Sequence, residues 1–584
     1  MAPSFSLIPF FTLLTSCQAL TYDYIIVGGG TSGLVIANRL SELSNVTVAV
    51  IEAGDSVLNN PNVTDVGGYG LAFGTDIDWA YQSTNQTYAR GATQTLRAAK
   101  AIGGTSTING MAYARAEDVQ INAWETLGNK GWDWDSLLPY YLKSENFEIP
   151  AAFQITDGVT YDPADHGESG PLDTGYLFNI VNGTIAQTFN ETYANVGIPW
   201  NGDINSGKMH GFSTVPKTVN VLANVREDAA RAYYWPIANR SNLVLFPNTS
   251  ATKLVWKNQT GDATAAGVHV TSSNGTVSTI YARKEVILSA GALRSSLLLE
   301  LSGVGNPDIL TPLDIPVVVD LPTVGENLQD QMNNAFTFGS NNTLSGADSF
   351  VTYPTVGDLF TNSTSTFATT IASSLSEYAA AVSNASNNVI SSSDLLDFFQ
   401  IQYDLVFNTS TPLLELFTTA AGAVFSVQYW ILLPFSRGNI HISSNDPTDA
   451  AIINPNYFML DFDLDVQIAA SKFIRDTVMS SLPLSAEVTA ESSPGTSVVA
   501  NNASDDEWAT YIKSSYRSNF HPVGATAMMP REKGGVVDNA LKVYGTANVR
   551  VVDAGILPFQ VCGHLTSTLY AVAEKAADLI KADM

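Results

Sequence analysis

Residues Thr21–Asp55 read TYDYIIVGGGTSGLVIANRLSELSNVTVAVIEAGD. An apolar run meets three consecutive glycines, a segment with helical spacing follows, and a second apolar run ends on an acid, giving the order strand, turn, helix, strand. Gly28, Gly30 and Gly33 form the pattern G-x-G-x-x-G directly after a strand and directly before a helix, the context in which the pattern has force. The first glycine permits a tight turn, the second lets backbone approach a pyrophosphate, and the third lets helix and strand pack closely. Thr31 and Ser32 open the helix, whose N-terminal N–H groups suit an anion. Glu52 closes the next strand, at the spacing where a carboxylate accepts hydrogen bonds from a ribose. These residues predict a dinucleotide site and do not separate FAD from NAD.

At 584 residues the chain is too long for one simple core and predicts two domains, interleaved along the sequence. An apolar fraction of 45% with 10% aromatics is ample for packed interiors and excludes a disordered chain. The formal charge of −27 argues against nucleic acid and anionic membrane surfaces as ligands, and favours a neutral substrate. Residues 1–19 form an apolar run, too short to span a bilayer, that ends in small residues and reads as a secretory signal peptide cleaved near Ala19. Cys17 leaves with it, so Cys562 is alone in the mature chain and no intrachain disulfide is expected. N-x-S/T sequons at Asn62, Asn85, Asn182, Asn190, Asn248, Asn274, Asn341, Asn362, Asn384 and Asn408 fit a secreted, N-glycosylated product.

Further along, the stretch from Asn242 to Ser296 alternates around turn signals such as Asn274-Gly275 and reads as successive hairpins, then a strand feeding a helix. From about Asn333 to Ser515, strand-like pieces such as VQYWILLPF and RGNIHISS predict a second domain built on an antiparallel sheet. The end of the chain returns to strand, loop and a long helix with Ala and Leu on one face.

LRAAKAIGGTSTINGMAYAR, GALRSSLLLELSGVG, VGENLQDQ, NFHPVGATAMMP and VVDAGILPFQVCGHLTSTLYAVAE together resemble the signatures of glucose-methanol-choline oxidoreductases, closest in wording to secreted fungal FAD-dependent glucose dehydrogenases and glucose oxidases. The resemblance implies FAD as cofactor. It also implies a mixed α/β and α+β architecture: a Rossmann-like FAD-binding domain from 20–115, 223–330 and 521–584, interleaved with substrate-side loops and helices that include an FAD lid at 116–222 and a substrate domain at 331–520, where helices back the antiparallel sheet. It carries Gly104, Thr105, Asn109, Gly110 and Met111 over as residues lining the flavin and its phosphates, with Asp553 and Ala554 near the ribityl and pyrophosphate region and Thr566 at the start of the terminal helix. Some relatives tether flavin to a histidine where Ile108 stands here, so non-covalent FAD is expected, and no metal site is assigned. Ser296 replaces a frequent proline and Gln331 a frequent histidine; both are expected to lie apart from the chemistry.

The chain has six histidines. His269 falls in an alternating hairpin, His441 in the strand NIHIS, and His166 and His210 in polar loops, whereas His521 in SNFHPVG and His564 in VCGHLTST match the family's active-site positions. The resemblance implies oxidation of a glucose-like sugar hydroxyl to the lactone by hydride transfer to flavin N5. In it His521 takes the hydroxyl proton and His564 orients the substrate, because an imidazole titrates near working pH. The N-terminus of the helix near Thr566 would stabilise negative charge on the reduced ring. Arg517 and Asn519 match residues that bond sugar hydroxyls in glucose-active relatives, while Gln428 stands where such relatives carry a glutamate, which sets glucose specificity in question and keeps a non-sugar primary alcohol as the alternative. A flavin-holding lyase or an inactive binding protein is the reading from another class. Oxygen or a quinone would reoxidise the flavin, and homodimer formation stays open.

Overall fold

The computed structural model describes residues 20–177 and 185–584, the side chains of 344–348 excepted, so the predicted signal peptide and Asn182 lie outside the described residues. Strand Thr21–Val27 is buried from Tyr24 onward and lies between Val48–Ile51 and the carboxyl half of Val277–Leu288, parallel to both: Ile25 pairs with Ala49 on one side and Val286 on the other. Leu243–Phe246 extends this parallel sheet beyond Val48–Ile51, and Val549–Val551 extends it beyond Val277–Leu288. The residues that leave these strands, Gly28, Glu52, Ser289 and Asp553, therefore share the carboxyl edge of one sheet, the edge at which open α/β sheets bind ligands. The amino half of Val277–Leu288 carries an antiparallel flank of Thr264–Ser272 and Thr249–Asn258, with Gly275 at φ +82° in the predicted Asn-Gly turn.

Leu243–Phe246 departs from its predicted place in the hairpins. It pairs with Val48–Ile51 in register from Leu243↔Val48 to Phe246↔Ile51 as the edge strand of the parallel sheet, because a short apolar run flanked by turns suits a parallel strand as well as a hairpin strand. Helix Thr31–Ser41 packs on the terminal helix Leu565–Ala582, where Arg39 Nη2 meets the fully buried Glu574 Oε1 at 2.7 Å. The first and last helices of the described residues thus pack on each other.

The second sheet is built on two long antiparallel strands, Met332–Tyr353 and Leu414–Ile431, with Gly211–Thr214, Val488–Ser493 and Arg517–Ser518 along the other edge of the first. Helices Thr364–Ala385, Ser392–Phe407 and Asp461–Lys472 accompany it. Its register decides the site: Asn333 lies opposite Trp430 on one side and Arg517 on the other, and Ala335 opposite Gln428. The RGNIHISS segment is not in this sheet; Gly438–His441 pairs with Glu326–Leu328 and Ile452–Asn454 in a small sheet of its own.

Two histidines outside the signature motifs each bridge two carboxylates. His441 Nδ1 lies 2.7 Å from Glu300 and Nε2 3.2 Å from Glu326, and these bonds outweigh burial to push its pKa up to about 10. His166, expected in a polar loop, is buried between Glu145 at 3.1 Å and Asp203 at 2.8 Å, with Phe147 stacked on its ring, and its pKa rises to about 9.

Candidate active site

A cavity of about 510 Å³ runs along the carboxyl edge of the parallel sheet and reaches the second sheet. It gathers Gly28, Gly30, Thr31, Ser32, Glu52, Gly104, Thr105, Asn109, Gly110, Met111, Gln428, Arg517, Asn519, His521, Asp553, Ala554, His564 and Thr566, together with Ile108. Gly33 does not line it. A Cβ there would sit 2.0 Å from the Gly28 carbonyl oxygen, so Gly33 serves the packing of helix on strand.

Gly30 carries the opposite message. An added Cβ would have as its nearest neighbour only Gly104 Cα, at 3.6 Å, so packing against the protein does not demand a glycine and the space faces the cavity. Gly104 comes from the second glycine turn with φ +56°, and its own Cβ would lie 2.5 Å from Gly30 Cα. Two bare backbones thus meet at the floor, next to the N-terminus of the helix that starts at Thr31, which suits a pyrophosphate. Glu52 accepts from Gly29 N at 2.9 Å and Gly54 N at 2.8 Å; burial dominates these bonds and pushes its carboxyl up to about 7. A ribose diol that donated to this carboxylate would complete its solvation. Asp553 is held by Gly555 N, Gly291 N and Ser295 Oγ at 2.6–2.9 Å. These residues fit a dinucleotide at one end of the cavity.

The other end is built by the second sheet. Side chains alternate faces along a strand, so Glu415, Phe417 and Thr419 project to one side of Leu414–Ile431, and Phe417, Thr419, Gln428 and Trp430 all line the cavity. The signature histidines close this end with their rings perpendicular and centroids 5.6 Å apart. His564 is the residue before helix Leu565–Ala582, and its Nε2 lies 2.8 Å from Oε1 of the fully buried Glu415. A carboxylate only accepts, so this nitrogen carries hydrogen. Thr566 Oγ1 accepts from Asn109 Nδ2 at 3.1 Å, which ties the first turn of that helix to the glycine loop.

His521 is placed by Asp330. That buried carboxylate accepts from His521 N at 3.0 Å, from Tyr457 Oη at 2.5 Å and from Ser518 Oγ, and so pins the turn at Phe520, whose φ of +63° is costly for a bulky residue. The strained turn sets Phe520 against Phe73 and beneath the Arg517 guanidinium, 4.9 Å from the ring centroid. Burial, with the neighbouring His564 and Arg517 charges, holds the His521 pKa well below the usual histidine value, so the imidazole is neutral. Arg517 Nη2 donates to Gln428 Oε1 at 2.5 Å.

One sequence expectation changes and one residue is added. Gln428 accepts from Arg517, and the carboxylate that meets His564 is Glu415, which the motifs did not single out. Gln331 is not remote, because its Oε1 lies 2.8 Å from His521 Nδ1. Ser296, the other departure, is buried and not among the cavity residues. Glu415 had one signal in the sequence, a lone acid inside the apolar run TPLLELF, where a charge needs a partner.

Residues 22–333 and 434–573 match the N- and C-terminal domains of the family described as GMC oxidoreductase. A glucose oxidase-like protein of Humicola fuscoatra is 43% identical over 565 residues, covering 96% of this chain and 95% of its own length. A glucose oxidase of Aspergillus carbonarius is 35% identical over 589 residues, covering 98% and 94%. Among solved structures, an FAD-dependent oxidoreductase from Chaetomium thermophilum superposes with a TM-score of 0.87 at 27% identity, over 96% of this chain and 99% of that one. A fungal aryl-alcohol oxidase does so at 0.82 and 27%, with the same coverage.

Proposed function

The chain belongs to the GMC oxidoreductase family and takes FAD as its cofactor, and on that premise we propose that it oxidises a sugar hydroxyl, with His521 as the base. The observation that carries this reading is the facing pair of imidazoles in unlike states: a neutral His521 and, 5.6 Å away, a His564 bonded to buried Glu415. Bound in the glycine cradle, without a covalent tether at Ile108, FAD supplies the hydride acceptor. His521 removes the hydroxyl proton, and His564 holds the substrate oxygen and shares the proton with the support of Glu415. The N–H groups that open helix Leu565–Ala582 favour negative charge at the cavity floor.

The substrate class rests on the walls. Arg517, Gln428 and Asn519 offer polar groups in fixed geometry, and Tyr69, Phe417, Phe520 and Trp430 offer apolar faces, the two kinds of surface a pyranose ring presents. The aromatic share of that wall, and the likeness to an aryl-alcohol oxidase structure, favour a non-sugar primary alcohol as the second reading. The sequon asparagines named above that fall among the described residues are all exposed or half-buried, which suits a secreted, glycosylated protein; oxygen or a quinone would be the electron acceptor.

Anaerobic bleaching of the bound flavin against a panel of hexoses, aryl alcohols and aliphatic alcohols tests the reading, and admission of air or a quinone afterwards identifies the acceptor. Bleaching by a hexose supports it. Bleaching by alcohols alone replaces it with the second reading, and bleaching by none overturns both.

A further inference from the structure

Beside His521 lies a row of carboxamides whose orientations are settled by its two ends. At one end Gln331, fully buried, has Nε2 3.3 Å from the Leu432 carbonyl oxygen. A carbonyl oxygen only accepts, so the amide nitrogen must face it and Oε1 must face the other way. There Oε1 receives His521 Nδ1 at 2.8 Å and Asn519 Nδ2 at 3.1 Å. Asn519 Oδ1 then accepts from Asn333 Nδ2 at 2.7 Å, and the same Asn333 nitrogen lies 3.3 Å from Gln428 Oε1. At the far end Gln428 Oε1 accepts from Arg517, a side chain that has donors only. Turning any one amide over would set oxygen against oxygen or nitrogen against nitrogen.

We infer that Gln331 is a positioning residue that fixes His521 as the Nδ1–H tautomer and leaves the lone pair on Nε2, and that the amide row extends this control to Arg517 in the substrate wall. His521 Nδ1 sits against an acceptor whose other side is satisfied, so it must carry the hydrogen. Asn519 Nδ2 lies 3.1 Å from the same Nδ1, and both donate to Gln331 Oε1, whose two lone pairs accommodate them. No protein group bonds Nε2 among the described residues, and His521 lines the cavity. A neutral imidazole otherwise populates both tautomers, and only one presents a base at a given nitrogen. The consequence of losing the correct tautomer is known in scale from serine proteases, where it costs about 10⁴ in rate.

The inference rests on His521 being the base, so the experiment separates the two. Holoenzyme labelled with ¹⁵N at histidine is compared for wild type, Q331L and Q331E, with H521Q to assign the His521 signals. In the same proteins the anaerobic rate of flavin reduction is followed against pH. Wild type should show the Nδ1–H tautomer. Q331L should show both tautomers and reduce at least about tenfold more slowly, with flavin content unchanged. Q331E, kept protonated by burial, can donate its hydroxyl to the Leu432 carbonyl and keep its other oxygen as the acceptor toward Nδ1, so it should retain the tautomer and recover most of the rate. A wild-type tautomer and rate in Q331L, or a Q331E variant no better than Q331L, overturns the role of Gln331 while an inactive H521Q leaves the base assignment standing. Undiminished reduction in H521Q overturns the base assignment and the inference with it.

Discussion

At the scale of single residues the site turns on how two imidazoles of one type come to differ. His521 is desolvated and faces positive neighbours, and His564 faces the Glu415 carboxylate. Replacing Glu415 with Gln keeps the shape and removes the charge. Because a hydrogen bond to a charged group contributes about 1.5–3 kcal/mol, the reductive rate constant should fall about 10- to 100-fold while the fold is retained, which stopped-flow reduction and circular dichroism together check. The pH dependence has a definite sign. With His521 as the proposed base, a pKa held below 6.5 leaves it unprotonated at neutral pH, so reduction by the best substrate should be level from about pH 6.5 upward and fall only under more acidic conditions. A midpoint above 6.5 in the acid limb would contradict a desolvated His521. The two histidines were legible from their flanking sequence. The partners of Glu415 and Gln331 were not, because they are reached through tertiary folding over 149 and 190 residues; Glu415 lies in no quoted motif, and the segment VGENLQDQ that ends at Gln331 does not say what its carboxamide meets.

At the scale of elements the decisive contact is between two glycine turns. Gly104 at φ +56° has no room for a Cβ against Gly30, so Gly104→Ala should push the turns apart and purify with little flavin, measured as visible absorbance per protein. Gly202→Ala, whose new Cβ meets nothing within 4 Å, should keep its full complement. Equal flavin content in both variants would show that this contact does not shape the cradle. The strand-turn-helix-strand unit was readable because period and punctuation agreed over its whole length. Leu243–Phe246 was misplaced because four apolar residues between turns do not say whether their partners run parallel or antiparallel. The long pairing of Met332–Tyr353 with Leu414–Ile431, which brings Gln428 within reach of Arg517, depends on register, which single-chain patterns do not encode across the intervening helices.

For the molecule as a whole the two clamped histidines predict how stability responds to alkali. In the unfolded chain both titrate near 6.5, and in the folded one His166 reaches about 9 and His441 about 10. Folding therefore favours the protonated forms. Their stabilisation is complete below about pH 6.5, begins to decline above it and is lost as pH rises through about 9 and 10. Glu145 and Asp203 face His166, and Glu300 and Glu326 face His441; loss of the imidazolium would leave Glu145 with Arg115 as its remaining cation and the other three acids without that partner. Thermal inactivation should come several degrees earlier at pH 10 than at pH 7. A variant carrying H166Q and H441Q should start lower at pH 7 and lose less on going to pH 10, and an unchanged slope in that variant would rule the clamps out as the source.

No continuous stretch of polypeptide makes up the cradle. It draws on the first turn at Gly28–Ser32, the loop at Gly104–Met111, the strand exit at Ser289–Arg294 and the closing segment at Asp553–Thr566. A dinucleotide seated there acts as a rivet through the opening, middle and final parts of the chain, so loading it is an event in assembly rather than docking onto a finished body, and extracting it unfastens regions far apart in the sequence together.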